Sequence, residues 1–169
     1  MNEKILFEII KIEVIAIENE LKLLDKGVFF APELYVGFRI AKSIYLHRQI
    51  IFNADNVRWN REVKLGKDGP SDIVFEFGDK NCLVIELKLR DTFDKYNADI
   101  LKQERLVTNE EDTKYFKYFC VLLDSFTEQN DERIDKLDKA HNLVKIGHYP
   151  FPTKQDWYTT LIPQGIINN

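Results

Sequence analysis

The sequence has few cysteines and no long apolar run, and each of these shortages narrows the class of protein. The two cysteines, Cys82 and Cys120, lie in apolar stretches typical of strands, so we expect buried thiols and neither a disulfide nor a zinc site. No apolar run approaches membrane-spanning length, and Lys and Glu residues interrupt the first segment. We therefore expect a cytoplasmic protein with no signal peptide and no membrane partner.

Basic charge is also in short supply. The chain has 24 Lys and Arg residues against 28 Asp and Glu residues, a formal net charge of −4. A sequence-independent DNA-binding protein usually has the opposite balance, although a local basic patch is compatible with this total. The sequence also lacks a glycine-rich phosphate loop and a serine nucleophile elbow. Its three histidines, His47, His141 and His148, show no metal-ligand spacing.

What the chain does contain is enough apolar sequence for one folded domain. Its 169 residues are 44% hydrophobic, which predicts a globular core, and no linker or repeat divides residues 1–169. The pattern predicts an α/β fold of the α+β type with a mixed sheet. The expected elements are helices 4–25 and 32–49, strands 57–65, 73–77 and 82–89, helix 93–107, strand 115–123, helix 130–141, and edge strands 143–146 and 157–162.

Residues 69–90, GPSDIVFEFGDKNCLVIELKLR, form the most informative stretch. Two apolar runs flank a cluster of turn-forming residues, which predicts a β-hairpin. Alternation puts Glu86 and Lys88 on one face of the second strand, and a hairpin loop of three or five residues puts Asp72 on that face too. With residues 79–81 as the loop, Asp72 would lie opposite Lys88, and Glu86 would be its diagonal neighbour.

Two converging carboxylates beside a lysine suit phosphoryl-transfer chemistry. Mg²⁺ binds oxygen ligands, commonly one or two carboxylates with water and substrate phosphate, and a bound cation activates water and stabilises developing charge. A nearby ammonium adds a compact positive charge that stabilises an oxyanion or orients the water. The alternative is a surface salt bridge on a sheet face, which these residue types by themselves leave open.

The tripeptides Pro-Ser-Asp at 70–72 and Glu-Leu-Lys at 86–88 resemble the PD-(D/E)xK motif of the restriction-endonuclease-like nuclease superfamily. One residue separates the proline from the aspartate, which departs from the motif. The resemblance implies an αβββαβ core over roughly residues 32–124, preceded by an extra N-terminal helix and followed by C-terminal elements. It also implies cleavage of nucleic-acid phosphodiester bonds that depends on Mg²⁺ or Mn²⁺.

The resemblance further implies roles for individual residues. Asp72, Glu86 and the backbone carbonyl of Leu87 would bind the metal ion. Lys88 would position the attacking water or stabilise the pentavalent phosphorus.

Further residues are candidates for the same site. Glu33 starts a helix, so it is either a favourable helix-dipole charge or, as the resemblance implies, a third carboxylate near the metal. Glu62 is either a solvated strand residue or a further metal ligand from an adjacent strand. Gln103 is either a buried amide bonded to backbone or, by the same resemblance, a contact to metal-bound water or phosphate. Lys102 and Arg105 are expected to be exposed, where they could contact phosphate backbone.

Two functional hypotheses of different class follow. The first is a Mg²⁺-dependent nuclease with DNA as the expected partner; the choices between DNA and RNA and between exonuclease and endonuclease stay open. A homodimer would let so small a nuclease cut both strands of a duplex. The second is a catalytically inactive domain of the same fold that acts in protein interaction or regulation, which the net acidity favours. Metal binding at Asp72 and Glu86 discriminates between the two.

Overall fold

The structure is a computed structural model that describes residues 1–65, 69–105, 113–125, 132–141, 147–151 and 157–163. The helices are α1 (Glu3–Lys22), a short 3₁₀ helix (Val28–Phe30), α2 (Glu33–Leu46), α3 (Arg48–Phe52), α4 (Phe93–Glu104) and α5 (Glu132–His141). The strands are β1 (Val57–Val63), β2 (Ser71–Phe77), β3 (Asn81–Leu89), β4 (Lys114–Ser125), β5 (Gly147–Phe151) and β6 (Trp157–Pro163). Within these ranges, no helix is both long and apolar enough to cross a membrane.

The strands form one mixed sheet in the order β1-β2-β3-β4-β6-β5. β3 and β4 run parallel, and the other neighbouring pairs are antiparallel. A parallel pair needs a crossover connection, and α4 lies in the connection between β3 and β4. The mixed α and β architecture predicted from the sequence is therefore confirmed, and β1, β2 and β3 form the expected meander.

Helices α1, α2 and α3 pack on one face of the sheet. Apolar residues recur every three or four positions along α1, so this helix presents one continuous buried stripe: Leu6, Ile10, Val14 and Ile17. These side chains share a buried cluster with alternate residues of β2 and β3, including Phe75, Leu83 and Leu87. The helix expected at 32–49 ends at Leu46, and α3 then runs to Phe52 before the left-handed Asn53 (φ 50°).

Helices α4 and α5 form the opposite layer. Tyr96 and Ile100 of α4 pack with Phe119 and Val121 of β4 and with two apolar residues of α5, Ile134 and Leu137. The intervening β4 residues Tyr118, Cys120 and Leu122 belong to the cluster under α1 and α2. β4 is thus covered on both faces, as its nearly continuous apolar sequence predicts.

Strand β1 departs from simple alternation. Alternation would place Trp59, Val63 and Leu65 on one face, but Trp59 packs against the cluster under α1 and α2, whereas Val63 and Leu65 pack against a separate cluster. The cause is Glu62, whose φ of 54° lies in the left-handed region. The register with β2 is the same on both sides of Glu62, since Arg61 pairs with Ile73 and Val63 with Ser71, so the change in side-chain direction is local to this residue.

The C-terminal strands differ from the expectation in position. β6 overlaps the predicted strand 157–162 but lies between β4 and β5 rather than at an edge. The outer strand is β5, Gly147–Phe151, and the strand predicted at 143–146 lies outside the described residues. β5 contains Pro150, a residue that sheets accept mainly in edge strands because it has no N–H to donate.

Candidate functional site

The site is built where β2 and β3 begin to separate. Phe77 pairs with Asn81, so a three-residue loop joins the strands, and the pairing continues to Ile73 opposite Ile85. This is one of the two loop lengths, three or five residues, that the sequence left open, but the loop occupies residues 78–80 instead of 79–81. Gly78 has a left-handed φ of 58°, which starts the turn one residue earlier. Continuing the register by one residue puts Asp72 opposite Glu86, not opposite Lys88.

Two carboxylates complete the edge of β3 beyond its last pair with β2. The Leu87 N–H donates to Asp72 Oδ2 at 2.9 Å, and the Leu89 N–H donates to Glu33 Oε2 at 2.9 Å. These amides point to the same side because they lie two residues apart, whereas Arg90 donates to Leu122 of β4. Backbone donors in a partly buried position need a partner, so both carboxylates have a structural role at the site.

Glu86 is the most buried charged group of the site. It is only 5% exposed, and burial together with the negative charge of Asp72 raises its pKa to about 7. Its Oε1 lies 3.2 Å from Lys102 Nζ. Its Oε2 is buried without a hydrogen-bond partner among the described residues. Burial also raises the pKa of Asp72, although the Leu87 N–H and the Lys88 charge oppose this.

Lys88 lies on the same face of β3 as Glu86, and α4 packs over both. Lys88 Nζ is 3.3 Å from Asp99 Oδ2. Burial acts to lower the pKa of Lys88, but the negative charges of Asp99 and Glu33 outweigh burial. The pKa of Lys88 is therefore raised above its ordinary value. α4 therefore opposes each charge of β3 with its opposite: Asp99 faces Lys88, and Lys102 faces Glu86.

Sequence reasoning missed Asp99 and was wrong about Lys102. Lys102 was expected to be exposed, but its side chain is only 14% exposed and also donates to the Pro70 carbonyl at 3.0 Å. The apolar stripe of α4 includes Ile100, and both charged residues flank that stripe three positions apart. Residues with this spacing share one side of a helix. An opposite-charge pair at this spacing, beside the Glu-Leu-Lys strand, is the signal that could have identified them.

The other candidates lie at different distances from this centre. Gln103 is buried, and its Nε2 donates to the Tyr118 carbonyl at 2.9 Å, so its amide forms the backbone contact that was the first alternative. Glu62 is exposed and forms an ion pair with the adjacent Arg61 at 2.9 Å. Arg105 is exposed, as expected, and its Nε donates to a carbonyl of its own helix.

A cleft of about 310 Å³ opens between the start of α2 and the separated strands. Asp72 and Glu33 contribute carboxylates to its wall, and Arg61 and Glu62 lie at the side formed by β1. Its apolar wall includes Leu34, Phe38 and Leu87. Asp72 and Glu33 are thus reachable from solvent through a cleft with both charged and apolar surfaces, whereas Glu86 does not line it.

The donor set of the site fits a hard divalent cation. No group of three or more His, Cys, Asp or Glu side chains in the described ranges is arranged to hold a metal ion. Asp72 and Glu86 nevertheless supply two adjacent carboxylates, and the buried Glu86 Oε2 has no donor among the described residues. Mg²⁺ is often held by one or two carboxylates while it keeps several waters. The Leu87 carbonyl would be a candidate third oxygen, because the N–H and C=O of one strand residue point to the same edge and the Leu87 N–H points to Asp72.

Comparison of the chain with protein-family models, with curated proteins and with solved structures finds no match in any of the three.

Proposed function

We propose that this protein is a Mg²⁺-dependent nuclease with a restriction-endonuclease-like core, and that DNA is the substrate to test first. The observation that carries the proposal is the position of Asp72 beside Glu86, where β2 and β3 separate, with Lys88 on the same face of β3. The element order α2-α3-β1-β2-β3-α4-β4 supports it, since it is the αβββαβ order that the sequence resemblance implies, apart from the short added helix α3.

The electrostatics of the carboxylate pair, Asp72 and Glu86, favour a cation. Both groups have raised pKa values because of burial, and Glu86 is raised further by the charge of Asp72. Two close carboxylates repel each other when both are ionised, so the folded protein gains stability from a cation between them. A bound Mg²⁺ or Mn²⁺ would polarise a phosphate oxygen and lower the pKa of a bound water.

Lys88 is suited to stabilising negative charge and not to accepting a proton. Asp99 and Glu33 favour its ammonium form, which outweighs the effect of burial on its pKa. The ammonium lies on the face that carries Glu86, and Asp99 restricts its movement at 3.3 Å. A positive charge held in advance at this position can interact with the oxyanion that develops on phosphorus.

Cleavage assays with variants of Lys88 test the chemistry. Lys88→Ala is expected to slow cleavage on the order of hundred-fold while leaving nucleic-acid binding nearly unchanged, by analogy with the loss of one oxyanion donor. Lys88→Arg is expected to restore activity only partly, because the guanidinium is larger and planar. Glu86→Ala should be at least as damaging. The matched control is Lys95→Ala, which removes an exposed lysine of α4 that is paired with Asp91.

The assay uses linear DNA, branched DNA and RNA, first with Mg²⁺ and then with Mn²⁺. Lys88→Ala cutting as fast as the wild type would contradict the assigned role. A wild type that cuts none of these substrates and gains no thermal stability from either cation would contradict the nuclease proposal as a whole.

Metal binding can be measured without any substrate. Millimolar Mn²⁺ or Mg²⁺ is expected to raise the melting temperature of the wild type, because a ligand that binds only the folded state stabilises it. Asp72→Asn should abolish this rise. The asparagine oxygen can still accept the Leu87 N–H, which Asp72 accepts at 2.9 Å, so the variant should fold. Retention of the full rise in Asp72→Asn would exclude Asp72 as a ligand.

A second candidate function is an inactive domain of the same fold that binds another protein. The observation that favours it is exposed apolar surface at the cleft, where Leu34 is 55% and Phe38 is 44% exposed. Exposed aromatic residues are enriched in protein interfaces, and the net charge of −4 is unusual for a DNA-binding protein. This function predicts neither cleavage nor a cation-dependent melting temperature.

A further inference from the structure

Lys102 occupies the position that a cation would need at Glu86. Its Nζ lies 3.2 Å from Glu86 Oε1, and both side chains are largely buried. The same ammonium donates to the Pro70 carbonyl at 3.0 Å, two residues before Asp72 in the chain. The ammonium is therefore held by two partners, the Glu86 carboxylate and the Pro70 carbonyl.

We propose that Lys102 is a tethered counter-ion that neutralises Glu86 and is displaced from it when a divalent cation binds. This inference rests on the proposed function, since the cation is the one that Asp72 and Glu86 would hold. A buried carboxylate without a counter-charge is strongly destabilising. Lys102 supplies that charge in the metal-free protein and competes with the metal ion for the same oxygen atoms.

Lys102 has a second hydrogen-bond acceptor that it can keep after it is displaced from Glu86. When Glu86 binds a cation, the ammonium keeps its hydrogen bond to the Pro70 carbonyl, so it stays at the site instead of moving into bulk solvent. Glu86 in turn has Oε2 free of any donor in the part of the chain that the structure describes. A cation can thus first approach Oε2 and then replace Lys102 at Oε1.

This arrangement differs from an ordinary surface ion pair. Lys95, on the same helix, pairs with Asp91 at 3.0 Å, but its side chain is mostly exposed. Exposed pairs of this kind contribute little and are screened by solvent and salt. Only the buried pair is strong enough to oppose a divalent cation, which makes Lys95 a matched control.

The test measures Mn²⁺ binding by titration calorimetry, together with melting temperature in the presence of a chelator, and so needs no activity. Lys102→Met is expected to lower the Mn²⁺ dissociation constant roughly tenfold, because it removes both a competitor and a like charge within a few ångströms. Its melting temperature without metal should fall, since Glu86 loses its counter-charge. Lys95→Met should bind Mn²⁺ like the wild type.

Lys102→Gln replaces Lys102→Met in the titration if Lys102→Met does not fold, because its amide can still donate to Glu86 but has no positive charge. Lys102→Gln should also bind Mn²⁺ more tightly than the wild type. Wild-type or weaker affinity in the folded Lys102 variants, with normal binding by the wild type, would overturn the counter-ion role and leave the nuclease proposal standing. If neither the wild type nor any variant binds Mn²⁺, both the counter-ion role and the proposed cation site are wrong.

Discussion

Replacing Glu86 by glutamine should stabilise the metal-free protein at neutral and alkaline pH and leave its stability near pH 4 almost unchanged. Burial and the charge of Asp72 raise the pKa of Glu86 from 4.5 to about 7 in the folded state. Between these values the folded protein binds a proton that the unfolded chain does not bind. The contribution of Glu86 to the stability of the wild type therefore falls as pH rises through this range.

The size of the effect follows from the same difference. At about 1.4 kcal/mol for each pKa unit, the change from 4.5 to about 7 corresponds to roughly 3 kcal/mol. Glu86 is almost fully buried, so solvent screening reduces this figure little. Glutamine has nearly the same shape and can still accept a hydrogen bond from Lys102, but it has no proton to lose in this range.

Urea denaturation in the presence of a chelator, at intervals from about pH 4 to pH 8, measures the effect as a free energy of unfolding. The wild-type curve should fall relative to the Glu86→Gln curve across this interval. The control is Glu76→Gln, a change at an exposed glutamate on the face of β2 that carries Asp72. Its curve of unfolding free energy against pH should match that of the wild type. Parallel wild-type and Glu86→Gln curves would show that Glu86 does not titrate as its environment predicts.

Three further predictions concern two residues of the site and one residue of the hairpin loop. Asp99→Asn should lower kcat roughly tenfold with little change in KM, because Lys88 loses the carboxylate that holds it. A tenfold rise in KM with unchanged kcat would instead indicate a role in substrate binding. Glu33→Ala should cost about 1 kcal/mol in urea denaturation, since the Leu89 N–H loses its acceptor, while Glu33→Gln should cost less. Gly78→Ala should destabilise the hairpin by at least about 1 kcal/mol because its φ is left-handed; its added Cβ would lie 3.3 Å from the Asn81 side chain. An unchanged midpoint in Gly78→Ala would contradict this.

The sequence was sufficient to predict which face of the hairpin carries the charges. Alternation along β3 and an odd loop length bring Asp72, Glu86 and Lys88 to one side, whatever the exact loop position. It was not sufficient to predict which residues lie directly opposite each other. That depended on whether Gly78 or Asp79 begins the turn, and both are common turn residues.

The charges that α4 contributes were harder to predict for a different reason. Apolar periodicity identifies the centre of the buried helix face, here Ile100, but residues at its borders are buried only as far as the neighbouring strand allows. Asp99 and Lys102 lie at these borders, and their burial depends on how closely α4 packs over β3. The change of side-chain direction at Glu62 could not be predicted either, because no sequence pattern marks a left-handed glutamate.

The two outer strands of the sheet affect how copies of this chain can associate. An edge strand with a regular row of free backbone groups readily pairs with a strand of another molecule. In β1, the left-handed Glu62 interrupts that row, and in β5, Pro150 lacks an N–H. Both features are of the kind that disfavours strand-by-strand extension of a sheet into a second molecule. A homodimer would be expected to form through helices or loops.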